Sequence, residues 1–522
     1  MTHYLGLDSS TQSLSAVIID TERAQVVQSI NVNFGKDLPD FGSPQGFLRN
    51  NNPRVVHSDP LMWVAALDLM FERLRATGYD LAQIRGISGA GQQHGSVYLK
   101  QKLGESLRLG FDKPLAAQVA PLLSRKTSPI WMDSSTTKEC EEIARALGGE
   151  ARVTEISGSR PTERFTGPQI RAFFKREPDA YAQTKEIHLV SSFIASLLTG
   201  TSAPMDFGDG AGMNLMDLAS GSLSSALLEA TAPALSEKLP KLLASHTVAG
   251  TVTGYFVEKY GIRAGTPVVA FTGDNPSSLV GMGATEPGVA VISLGTSDTV
   301  FAAMGKPLTD PNGFGHVFGN PAGGFMSLIC FTNGSLAREA VTKEFGMGWE
   351  EFSDSILERT EPGNGDNWML PFFVPESTPR VLTPVTQRFG SADFVAGKVP
   401  ARAARAIVEA QAVNMRLHSR WIGETPASIR VTGGASKSPA IRQILADVFQ
   451  AEISPLQVEN SSALGGALRA ANAVGGVPFE QLFQMFVQPD RNKKAVPKAT
   501  PDTYDKLEQR LVAKLKELGQ AT

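Results

Sequence analysis

Short apolar runs separated by polar turns dominate the first hundred residues. Residues 4–7 and 14–19 are too short for helices and flank the polar stretch Asp8-Ser9-Ser10-Thr11-Gln12-Ser13. They read as two strands joined by a turn. Between residues 59 and 78 the period lengthens: Trp63, Leu67, Met70 and Leu74 recur at helical spacing. Asp59 can cap that helix, Pro60 can open it and Gly78 can end it. Residues 84–90 read as a strand, broken by Gly91-Gln92-Gln93-His94-Gly95 and resumed over 96–99. A helix is expected over 185–198.

The pattern changes at Pro267. Residues 268–271 form a buried-strand run, followed by Thr272-Gly273-Asp274-Asn275-Pro276. Asn275 is a suitable cap and Pro276 a first helical residue, so a helix is expected to follow. After Pro287 the chain restarts with a strand and a turn over 289–297. The main domain boundary is therefore placed between Gly281 and Pro287, giving domains 1–284 and 285–522. Further on, residues 430–432 read as a strand into Gly433-Gly434, and Ser438 and Pro439 open a helix to about 449. A strand near 452–458 and a helix from about Ser461, rich in Ala and Gly, come next. From Pro489 the chain turns polar and basic and reads as a helical tail, exposed and amphipathic.

One stretch repeats another. Aligning Thr11 with Thr296 lays Asp8-Ser9-Ser10-Thr11-Gln12-Ser13 over Ser293-Leu294-Gly295-Thr296-Ser297-Asp298, each between apolar strands. Turns commonly hold such residues. The repeat still suggests two domains of related topology facing one ligand.

Composition narrows the function. The 522 residues carry 49 Lys and Arg against 52 Asp and Glu, a formal charge of −3. That near-balance argues against nucleic acid or an anionic membrane as the main partner. Two cysteines without a Cys-x-x-Cys exclude a disulfide framework and a cysteine-based zinc site, and fit a reducing compartment. The sequence from Met1 lacks a basic region followed by an apolar stretch, and no apolar run reaches membrane-spanning length. A cytoplasmic protein is expected. No Walker loop or protein-kinase signature occurs. The G-x-G-x-x-x-G spacing from Gly89 precedes a strand where a dinucleotide fingerprint requires a helix.

The remaining candidates each have a plain alternative. Asp8 ends a strand and opens a hydroxyl-rich turn, which suits phosphates and a hydrated divalent cation, or simply a self-capped turn. Asp274 follows a strand and precedes a helix, where ligands bind in open α/β sheets; its carboxylate could take a hydroxyl proton, or merely sit beside a cap. Gln92, Gln93 and His94 carry donors and acceptors suited to sugar hydroxyls, or form a solvated loop. Arg160 and Arg164 could bond hydroxyls or pair with carboxylates such as Glu163. Gly433 and Gly434 could let backbone lie against a nucleotide base, or make an ordinary turn.

Together these stretches resemble the FGGY carbohydrate kinases. The carriers are Gly6-Leu7-Asp8-Ser9-Ser10-Thr11-Gln12, Thr272-Gly273-Asp274-Asn275-Pro276, Ser293-Leu294-Gly295-Thr296-Ser297 and Thr432-Gly433-Gly434-Ala435-Ser436. Ser88-Gly89-Ala90-Gly91-Gln92-Gln93-His94-Gly95-Ser96, Trp131-Met132-Asp133-Ser134-Ser135-Thr136-Thr137 and Glu163-Arg164-Phe165-Thr166-Gly167 add to it. The resemblance implies an α/β fold of two actin-like (ribonuclease H-like) ATPase domains flanking a deep cleft. It implies phosphorylation of D-xylulose at its 5-hydroxyl by ATP with magnesium; another ketose or a polyol (ribulose, glycerol) is the nearest alternative, and a non-catalytic actin-like ATPase a more distant one. Asp274 looks like the general base. His94, Arg164, Asp274 and Asn275 look like sugar contacts, with Gln93 beside them. Asp8 is similar to the family's magnesium-associated carboxylate, acting through water. Thr11, Gly295 and Thr296 fall in phosphate turns, and Gly433 and Gly434 in the adenosine site. Trp349 and Lys437 fall at nucleotide contacts, Lys437 departing from the residue that relatives carry there. The sequence leaves a homodimer open.

Overall fold

The computed structural model describes residues 2–104, 110, 112–456 and 460–520. The chain forms two compact units. The first is Met1–Thr285 with Phe318–Phe325 and Glu459–Val487; the second is Glu286–Val317 with Met326–Val458 and Gln488–Thr522.

The first unit is built on a twisted sheet. Its strands are β1 (His3–Ser9), β2 (Ser13–Asp20), β3 (Gln25–Asn33), β4 (Ile84–Gly91), β5 (Val248–Thr251), β6 (Pro267–Val269) and β7 (Thr272–Gly273). The order is β5-β6-β4-β1-β2-β3, with β7 also paired to β4. β1 runs antiparallel to β2 and parallel to β4. Helix Pro60–Ala76 covers one face; Asp59 caps it by accepting from Leu61 N–H, as its sequence demands. Its residues Trp63, Leu67, Met70 and Leu74 are fully buried.

The second unit repeats the scheme. Its sheet has β8 (Val289–Leu294), β9 (Asp298–Met304), β10 (His316–Gly319), β11 (Phe325–Phe331), β12 (Ser428–Thr432) and β13 (Glu452–Pro455), in the order β10-β11-β9-β8-β12-β13, the end of β10 and the first residue of β11 being counted with the first unit. β8 is antiparallel to β9 and parallel to β12. Asp8 lies opposite Ala90 in the first sheet and Ser293 opposite Thr432 in the second. The repeat seen in the sequence is therefore a repeat of topology, with the second hairpin one residue tighter: Asp8 faces Ser15, whereas Ser293 faces Thr299.

Several elements differ from expectation. The chain leaves the first unit after Thr285, but residues 459–487 return to it, so the units are not two continuous halves. The reason lies in helix Ser461–Gly475, whose small residues let it lie on backbone. A Cβ on Gly465 would stand 1.9 Å from the Ser277 carbonyl oxygen, and one on Gly281 1.8 Å from that of Ser461. The expected helix over 185–198 splits: Glu186–Leu189 is a strand paired with Ser96–Leu99, and only Val190–Thr199 is helical. Sheet pairing overrode the helical pattern there. Helix Asp274–Gly281 starts before the expected Asn275 cap, with Gly273 in the capping position. The strand near 452–458 ends at Pro455, and residues 457–459 lie outside the described residues. The tail helix Pro501–Glu517 exposes only its polar face: Tyr504, Leu507, Leu511 and Leu515 are buried. Among the described residues no helix is long and apolar enough to cross a membrane.

Candidate active site

The parallel strands β1, β4 and β7 bring three distant segments to one end of the sheet. Asp8 pairs with Ala90 and Ser9 with Gly91, while Thr272 and Gly273 pair with the same two residues from the other side. Asp8, the 92–94 loop and Asp274 are thereby gathered at the strands' carboxyl ends, where open α/β sheets bind ligands.

Asp274 is the first residue of its helix. Its Oδ1 accepts the Asn275 backbone N–H at 2.9 Å and the Asn275 side-chain amide at 3.1 Å. That amide also donates to Gln93 Oε1 at 2.9 Å. Burial raises the Asp274 pKa to about 6, against the pull of N–H donors from Asn275 and Gln93. The carboxylate is thus oriented, ionised at neutral pH and more basic than a solvated one.

The 92–94 loop is not solvated. Gln92, Gln93 and His94 are 1%, 3% and 6% exposed. His94 sits at φ +71°, and its ring packs 4.4 Å from that of Phe165. Burial, then the positive charge of Arg164, lowers its pKa to about 3. Arg164 lies over Phe165 at 5.8 Å and so belongs to this group. The charge of Arg160 acts instead on Cys140, in the same unit.

Asp8 Oδ2 accepts from Ser10 Oγ at 2.5 Å, whereas Oδ1 is buried without a hydrogen-bond partner. Burial, then the charge of Asp274, raises its pKa to about 7. A buried carboxylate that feels the charge of a second one, with only the hydroxyls of Ser10 and Ser462 to offset it, fits a cation. Among the described residues no cluster of three or more His, Cys, Asp or Glu could cage a metal. A single carboxylate of this kind is a donor that a hydrated divalent cation meets through its own waters. Thr11, beyond the strand end, accepts the Trp131 Nε1–H at 2.8 Å.

Sequence reasoning missed a buried group behind Asp274. Asp209 accepts from Ser191 Oγ, and Asp206 accepts from Ser245 Oγ at 2.5 Å. Burial, with Asp206 and Asp274 adding to it, holds the Asp209 pKa well above the usual carboxylate range. Arg469, on helix Ser461–Gly475, donates to the carbonyl oxygens of Gly89, Ser245 and Ala270 at 3.0, 3.2 and 2.5 Å. No local pattern marks these residues; only their packing makes them neighbours.

In the second unit, Trp349, Gly434 and Lys437 line one cavity of about 650 Å³ with Ser335, Glu339 and Ser353. Trp349 is 52% exposed, leaving a free aromatic face. Gly433, at φ +88°, brings its Cα against β8: a Cβ would stand 2.3 Å from the Leu294 carbonyl oxygen. Gly295 and Thr296 form the β8–β9 turn, and Ser335 N–H donates to the Gly295 carbonyl at 2.9 Å. Turn and cavity therefore share Ser335.

The two α/β units share a topology; one carries an oriented, buried carboxylate and the other a cavity of about 650 Å³. Models of the FGGY family of carbohydrate kinases match the chain, the N-terminal domain over residues 120–281 and the C-terminal domain over 290–474. The chain belongs to this family. It is 41% identical to a xylulose kinase of Rattus norvegicus, covering 98% of this chain and 97% of that one. It is 40% identical to xylulose kinase 2 of Arabidopsis thaliana, over 92% and 90% of the two chains. The fold matches the crystal structure of xylulose kinase from Rhodospirillum rubrum with a TM-score of 0.83 at 21% identity, over 99% of both chains.

Proposed function

We propose that this carbohydrate kinase transfers the γ-phosphoryl group of ATP to the 5-hydroxyl of D-xylulose, giving D-xylulose 5-phosphate and ADP. The observation that carries the reading is the Asp274 carboxylate, raised to about 6 and fixed by Asn275 beside Gln93. Asp274 takes the hydroxyl proton as the sugar oxygen bonds to the γ-phosphorus and the bond from that phosphorus to the bridging oxygen of ADP breaks. Gln93, His94, Arg164 and Asn275 hold the sugar. Thr11, Gly295 and Thr296 receive phosphates; Trp349, Gly433, Gly434 and Lys437 receive the nucleoside. Asp8 would hold magnesium through water, which would supply positive charge against the phosphates in the transition state. Relatives at 40–41% identity are xylulose kinases, which supports this choice of substrate. A cytoplasmic location goes with an ATP-dependent step in sugar metabolism, and cell fractionation checks it.

A coupled ADP-release assay across ketoses and polyols tests the reading. D-xylulose is expected to give the highest kcat/KM, and Asp274→Ala to lower kcat by about 10²–10⁴-fold. A clear preference for ribulose or glycerol would replace the substrate, and full activity in Asp274→Ala would remove the base.

A further inference from the structure

The β8–β9 turn of the second unit is held from behind by a buried ion pair. Asp298 opens β9 directly after Ser297. Its two carboxylate oxygens accept from the two terminal nitrogens of Arg338 at 2.8 and 2.9 Å, and each side chain is 1% exposed. Arg338 also donates to Gln411 Oε1 at 2.9 Å and to Ser335 Oγ at 3.2 Å. Gln411 donates its amide protons to the carbonyl oxygens of Asn333 and Gly334 at 2.5 and 2.9 Å. Ser335 N–H closes the circuit on the Gly295 carbonyl. Gly334 permits the closure, because a Cβ there would lie 2.7 Å from both the Thr296 carbonyl oxygen and the Asp298 nitrogen.

A bare carboxylate two positions from Thr296 would repel a nucleotide phosphate. The bidentate guanidinium cancels that charge and fixes the carboxylate's plane. A fully buried ion pair adds little net stability compared with apolar side chains of the same size, so packing alone does not call for it. We propose that Arg338, acting through Asp298, is a positioning residue for the phosphates of ATP: it keeps the Gly295–Thr296–Ser297 turn in its receiving shape and electrically neutral. The inference rests on the reading of Gly295 and Thr296 as a phosphate turn.

The test compares ADP dissociation constants and separate KM values for ATP and sugar in Arg338→Gln, Asp298→Asn and the double variant. Arg338→Gln is expected to weaken ADP and raise the KM for ATP about tenfold or more, with the sugar KM within about twofold of wild type. Asp298→Asn should cost less, and the double variant, lacking a bare carboxylate, should recover most of the loss. Unchanged ADP affinity in Arg338→Gln, parallel loss of sugar and nucleotide affinity, or a double variant no better than Arg338→Gln would each overturn the proposal. Should Arg338→Gln fail to fold, Arg338→Lys keeps the charge but not the fork; about threefold weaker ADP is expected, and unchanged affinity overturns it. Thr296→Val separates the two readings. If it leaves ADP affinity unchanged, the phosphate turn itself fails; if it weakens ADP while the Arg338 variants do not, only the role of Arg338 fails.

Discussion

His94 donates its Nδ1 proton to the carbonyl oxygen of Gly212 across 2.7 Å. A carbonyl can only accept, so Nδ1 carries the proton and Nε2 keeps its lone pair. With a pKa of about 3, the ring stays a neutral acceptor. Replacing His94 with Ala should raise the sugar KM about tenfold or more, the scale of one lost buried hydrogen bond, and leave the KM for ATP nearly unchanged. Wild-type sugar KM measured from about pH 5.5 to 8 should show no histidine titration from this ring.

The rate should fall on the acid side through Asp274. A base must be ionised to accept a proton, and this carboxyl protonates below about 6 rather than at its usual 3.8. The kcat/KM for sugar should therefore drop about tenfold per pH unit below that point. A flat profile down to about pH 4.5 would assign the base elsewhere.

The same shift sets a stability trade. The folded protein binds a proton at Asp274 more tightly than the unfolded chain does, so the penalty of the buried charge is full above about 6 and vanishes below 3.8. Asp274→Asn should melt higher than wild type at about pH 8, and the difference should shrink as the pH falls toward about 4. Thermal melts of the unliganded protein across this range check the sign.

Gly465→Ala should destabilise the first unit strongly. The added methyl would stand 1.9 Å from the Ser277 backbone oxygen, where no side chain can yield. Overpacking of this kind costs about 1–3 kcal/mol or more, read from denaturant midpoints. Gly476→Ala, one residue past the same helix and with open space around it, is the control; its φ of +69° confines the cost to backbone strain of about 1 kcal/mol.

Much of the local structure was legible because its causes are local. Asp59 and Pro60, or Ser438 and Pro439, open helices through their own backbone and side-chain chemistry, and both helices start where expected. Asp8 and Asp274 stood out for the same reason: each follows a short apolar run and opens a polar stretch, the local mark of a strand end. The Gln92–His94 loop was harder. Its polar composition favours solvent, and only the Val190–Thr199 helix, Phe165 and Gly212 around it explain why it is buried.

The sequence by itself determined the two strand–turn–strand units, the positions of Asp8 and Asp274 at strand ends, and the resemblance that links them. Tertiary structure decided which unit the Ser461–Gly475 helix joins, the neutral state of His94, and the meeting of Asp298 with Arg338. The difference is physical. Caps, turns and periodicity act over a few residues, whereas burial, charge and close backbone approach depend on partners that lie far away along the chain.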